Sequence, residues 1–144
     1  MKIRTTIAAI GAAAAVGTGT LLLPAAASAT SATTTLTFTS VMQKSVGFGK
    51  TAGGQSDNDV NSTGKLIGFD VLYFSATSPT SATINVTVDT KGGLLYAVLT
   101  GSPTGTSYKG KVTGGTGAFK GATGTVTAKD VSKTKTNVKI VYST

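Results

Sequence analysis

Asp70 is the one carboxylate set inside an apolar run of this chain, KLIGFDVLYFS at Lys65–Ser75. Burial there would raise its pKa and let it give or take a proton near neutrality. The same burial suits a structural aspartate held by a lysine, a tyrosine hydroxyl or backbone, and the residue types leave both readings open. Tyr73 is the second candidate for proton handling. Phe69, Tyr73, Tyr96 and Phe119 are the candidate aromatic residues for lining a ligand cavity, although buried aromatics mostly serve packing. Asp57-Asn58-Asp59-Val60-Asn61 has the D-x-D-x-N spacing that begins calcium loops. The match fails further on, where Ser62 stands at the turn glycine and Gly68 at the bidentate acid. The stretch therefore reads as a polar turn before a weak cation site, and no metal site is expected.

The residue types exclude much other chemistry. From Thr30 onward there is no His, Cys, Glu, Arg or Trp. No Ser-His-Asp or Cys-His arrangement can form, and the usual zinc ligand sets are absent. Any acid–base step must use Asp, Lys or Tyr. Gly49-Lys50-Thr51 imitates the end of a phosphate-binding loop, but Lys44 occupies the place of its first glycine. Counting from Gly115 and Gly117, the third glycine of a dinucleotide fingerprint falls on Lys120. No cofactor is expected.

The chain has 144 residues and opens as a targeting segment. Lys2 and Arg4 precede an apolar run from Ile7 to Leu23, Pro24 breaks it, and Ala27-Ser28-Ala29 is a small-x-small cleavage site. Residues 1–29 are read as a cleaved signal peptide and 30–144 as one secreted domain, with no membrane insertion after cleavage. An exported domain without cysteine must be stable without disulfides, which favours a well-closed sheet. Beyond Arg4 every basic residue is Lys, and the lysines are dispersed from Lys44 to Lys139. Without arginine forks or a dense block, they read as a solvated coat and not as a nucleic-acid surface.

Alternation of apolar and polar residues locates the elements that must position these groups. Strands are expected at Thr35–Met42, Lys65–Ser75, Ala82–Thr90, Leu94–Thr100, Ser107–Thr113, Gly124–Ala128 and Asn137–Tyr142. Residues 30–35 read as a mobile tail. Residues 43–64, rich in Gly, Asp and Asn, read as a long loop with room for a small strand. Lys65–Ser75 is apolar on both faces, so one face should meet a lumen and the other a partner subunit. No helical period follows the signal segment. The fold class is all-β, a meander closed into an antiparallel barrel in preference to a sandwich. In Gly114–Ala128, GGTGAFKGATGTVTA, the glycines make a turn and Phe119 is a lone large apolar plug among small residues.

The hairpin Val112–Ala128 resembles the corresponding segment of the dirigent and allene oxide cyclase-like barrels, most closely in Gly114–Phe119. The likeness extends more weakly to Gly64–Ala76 and to the closing strand. It implies a closed antiparallel eight-stranded β-barrel, a homotrimer, and a lumen that binds a small hydrophobic molecule. Plant members steer phenoxy-radical coupling or cyclise an unstable fatty-acid epoxide. Two positions depart from the plant dirigent pattern: Thr123 stands where a functional Arg is typical, and Thr35–Met42 holds no acid. The expected function is a secreted barrel that binds, orients or protects a small apolar ligand. The alternatives are a cyclase or isomerase working by confinement through Asp70 and Tyr73, and a non-catalytic envelope-associated protein.

Overall fold

The structure is a computed structural model and describes residues 32–144. The expected signal peptide and its cleavage site lie outside the described residues. Eight strands follow one another as β1 Thr34–Gly47, β2 Ala52–Val60, β3 Leu66–Ser78, β4 Ser81–Thr90, β5 Gly93–Gly101, β6 Ser107–Gly115, β7 Thr123–Ser132 and β8 Lys135–Ser143. Each pairs antiparallel with the next, and β8 returns to β1, so the sheet is a closed barrel. Closure leaves no free edge for another chain to extend. Among the described residues no helix is long and apolar enough to cross a membrane.

Alternation decides what enters the barrel. Phe38 and Ser40 of β1, Val88 of β4, Leu95, Ala97 and Leu99 of β5, Val126 of β7 and Ile140 of β8 are all buried. The connections divide between two ends. Turns 48–51, 79–80, 102–106 and 133–134 share one end, which we term the mouth. The opposite end carries turns 61–65 and 91–92 and a 3-10 turn, Gly117–Phe119.

That 3-10 turn closes its end. The Ala118 amide donates to the Gly92 carbonyl at 2.8 Å, and the Thr116 amide to the Leu94 carbonyl at 2.8 Å. Gly117 has a φ of 58°, and a Cβ there would strike the Gly92 carbonyl, so glycine is required twice over. The tethered turn drives Phe119 inward to 6 % exposure, edge-on to Tyr142 at 5.5 Å. Phe119 is thus a plug of the closed end.

The expected long loop at 43–64 is corrected. β1 continues to Gly47, and Ala52–Val60 is the full strand β2. Its inward side chains include Gln55, Asp57 and Asp59, so its strand period carries polar and not apolar groups. The expected tail at 30–35 is shortened likewise, because β1 begins at Thr34 and pairs with Tyr142 of β8.

Candidate functional site

The lumen is hollow toward the mouth. A cavity of about 470 Å³ is walled by apolar side chains that include Phe38, Leu72, Ile84, Val86, Leu99 and Val138. Leu72 and Phe74 come from β3, whose inward face was expected to be apolar. Lys50, Pro103 and Lys133 stand at the rim, on turns of the mouth end. Asp130 also faces the cavity near the rim, where the Thr136 hydroxyl donates to it at 2.7 Å and the Tyr108 hydroxyl at 3.5 Å.

One side of the wall is acidic. Asp57 of β2 lies directly across from Asp70 of β3, and Asp59 of β2 lies across from Ser40 of β1. Two-residue spacing puts Asp57 and Asp59 on one face of their strand, so three carboxyls and a hydroxyl converge. Asp57, Asp59 and Asp70 are 3 %, 1 % and 2 % exposed. The Ser40 hydroxyl reaches Asp57 Oδ2 at 2.8 Å and Asp70 Oδ2 at 2.7 Å, and Gln55 Nε2 donates to Asp57 Oδ2 at 2.8 Å. With all three carboxyls ionised, Asp57 Oδ1, Asp70 Oδ1 and both oxygens of Asp59 would have no hydrogen-bond partner. The cluster therefore has far more acceptors than donors. Ser40 brings a single proton to two carboxyl oxygens.

Such crowding resists full ionisation. Burial first, and then the charge of Asp70, push the Asp59 carboxyl up to about 9. Burial also raises Asp70, to about 6, although the Ser40 hydroxyl opposes the rise. At neutral pH Asp59 keeps its proton and donates it toward Asp70, while Asp70 is largely ionised. The pair can hold or release a proton at the wall of an apolar lumen. Among the described residues no group of three or more His, Cys, Asp or Glu is arranged to hold a metal ion. Asp57 and Asp59 sit in a strand and open no calcium loop.

The candidates from the sequence separate by strand parity. Asp70 faces the lumen. Tyr73 lies three residues on, an odd offset, and is 46 % exposed on the outer surface, where it stacks on Phe48 at 6.3 Å. Asp70 and Tyr73 thus cannot act on one bound molecule, and their pairing is corrected. Phe69, 51 % exposed, is outside for the same reason. Tyr96 alternates with the buried Leu95 and Ala97 and faces out, and Phe119 lies beyond the cavity in the closed end. Asp57, Asp59 and Ser40 were missed as site residues. Their signal was parity: Ser40 shares the face of Leu36, Phe38 and Met42.

No protein-family model matches the sequence, and no curated protein matches it. Solved structures do resemble it. A pyocyanin demethylase superposes with a TM-score of 0.66 at 20 % identity, over 76 % of this chain and 100 % of that one. The pterocarpan synthase dirigent protein GePTS1 gives 0.65 at 19 % identity, over 78 % of this chain and 88 % of that one. AbnU, an exo-specific intermolecular Diels-Alderase, gives 0.64 at 11 % identity, over 77 % and 98 %. The chain has the fold of the dirigent-like barrels. At these identities the likeness extends to the fold and not to the chemistry.

Proposed function

We propose that this protein binds a small, mostly apolar molecule in its lumen and holds it against Asp57 and Asp70, with Asp59 buried behind them. The observation that carries this reading is the cavity of about 470 Å³, with apolar walls and a few convergent polar groups. A barrel of eight strands is wide enough either to be filled by its own side chains or to hold one ligand. Asp70 would orient a polar end of the guest, and Asp59 behind it supplies the proton that Asp70 can pass on. The reading is supported by neighbours of this fold titled as a demethylase, a Diels-Alderase and dirigent proteins, proteins of varied chemistry.

The neutral dye N-phenyl-1-naphthylamine tests it. One dye per barrel is expected to bind with a blue-shifted, brightened emission. Val86→Trp, which puts an indole into the cavity from β4, is expected to weaken binding by at least about tenfold while the fold survives. Equal binding by wild type and a folded Val86→Trp variant would place the dye elsewhere and reject the lumenal reading.

The reading includes a homotrimer that acts outside the cytoplasm. The export half rests on the signal-like N-terminal sequence, in which Lys2 and Arg4 precede an apolar run and Ala27-Ser28-Ala29 follows it. The oligomer half is supported by Phe69, Val71 and Tyr73, each about half exposed along the outer face of β3, with Phe48 beside them. Val71→Lys is expected to convert the trimer to monomer in light scattering after size exclusion. A wild-type protein that runs as a monomer at micromolar concentration removes the oligomer from the proposal.

A further inference from the structure

The sign of charge differs sharply between the inside and the outside of this barrel. Of the five aspartates in the sequence, Asp57, Asp59, Asp70 and Asp130 all point inward, and only Asp89 is on an outward register position. The lysines of the wall strands, including Lys109, Lys111, Lys129 and Lys139, are exposed on the outer face. The lysines that touch the cavity are Lys50 and Lys133, and both belong to turns of the mouth. Along the depth of the cavity the charged lining is therefore Asp57 and Asp70.

Those two groups are poorly served by the protein. Ser40 and Gln55 supply the hydrogen bonds to their Oδ2 atoms, Asp57 Oδ1 has no partner, and Asp70 Oδ1 has only the proton of Asp59 to draw on. A buried carboxylate without a positive partner is costly, and proteins seldom keep one without a use. An alcohol guest would bring one donor to this wall. A protonated amine brings up to three donors and a compensating charge.

Resting on the lumenal reading above, we propose that the guest carries a basic nitrogen, protonated when bound, seated against Asp57 and Asp70 with its apolar body among Leu72, Val86 and Leu99. Sign complementarity and donor starvation both favour a cation over a neutral or anionic head group. The apolar wall restricts the class to hydrophobic amines, such as an arylalkyl amine, and excludes polyamines that need charge along their length.

Three naphthalene probes of one shape test this by calorimetry at pH 7.5: 2-naphthylmethylamine, 2-naphthalenemethanol and 2-naphthoic acid. The amine is expected to bind at least about tenfold tighter than the alcohol, with the acid weakest. In the variant carrying both Asp57→Asn and Asp70→Asn, the amine's advantage is expected to vanish while the alcohol still binds. If that variant does not fold, the ranking of probes on the wild type decides the matter. Alcohol or acid binding as tightly as the amine overturns this inference and leaves the lumenal reading intact. An amine preference that survives in the double variant also overturns it, because the charge would be read elsewhere. Failure of all three probes to bind overturns the lumenal reading and this inference together.

Discussion

The protein is expected to lose stability as pH rises from 5 to 8, the reverse of ordinary acid denaturation. Asp59 has an unfolded pKa near 3.8 and a folded pKa of about 9. Between those values the folded state binds more protons than the unfolded one, so raising the pH favours unfolding. The penalty begins above the unfolded value and is complete only beyond about 9. Asp70, raised to about 6, adds to the slope at its acidic end. One such group costs on the order of 4 kcal/mol over three pH units. Asp59→Asn replaces the neutral acid by a neutral amide that can still donate to Asp70. The variant is expected to flatten the slope above pH 6 and to exceed the wild type by on the order of 4 kcal/mol at pH 8. Urea unfolding at several pH values measures both. Wild-type stability that climbs from pH 5 to 8 would show that Asp59 is ionised in the folded barrel.

The second large effect is expected at the closed end. Phe119→Ala should cost about 3–5 kcal/mol, the range for deleting a buried ring. The ring is 6 % exposed and packs edge-on against Tyr142. The turn that carries it is tied by backbone hydrogen bonds to Gly92 and Leu94, so the surroundings cannot easily collapse into the hole. Val131→Ala is the control, since Val131 is 53 % exposed and its loss should fall within about 0.5 kcal/mol. Equal urea midpoints for the two variants would mean that Phe119 does not seal the barrel.

Sequence alternation located seven of the eight strands because their inward faces are apolar. β4 shows why: Ile84, Val86 and Val88 alternate with Thr83, Asn85 and Thr87. β2 escaped because the feature that makes it interesting removes the signal. Gln55, Asp57 and Asp59 point inward, and a polar lumenal stripe looks like a loop when strands are sought by hydrophobicity. The D-x-D spacing matched the start of a calcium loop, failed further on, and read as a polar turn. On a strand the same spacing puts both carboxyls on one face, a consequence that needs the element type first. Asp70 stood out because it interrupts an apolar run. Tyr73 was named as its companion although parity argues against it, since an odd offset on a strand reverses the face. The convergence of Asp57, Asp59, Asp70 and Ser40 depends on the register of β1, β2 and β3, which no local pattern encodes.

The pairing of β1 with β8 has a consequence for how the protein is made. Thr39 and Asn137, which meet across that seam at 3.0 Å, are 98 residues apart in the chain. Loop closure over that distance yields no contact until the last strand exists. On the ribosome, β1 therefore waits for nearly the whole chain, and the barrel cannot close while β8 is still in the exit tunnel. Each earlier length of chain is an open sheet with two bare edges and a half-covered apolar face. Such a nascent chain stays available to chaperones until β8 has emerged, and only then can the barrel close.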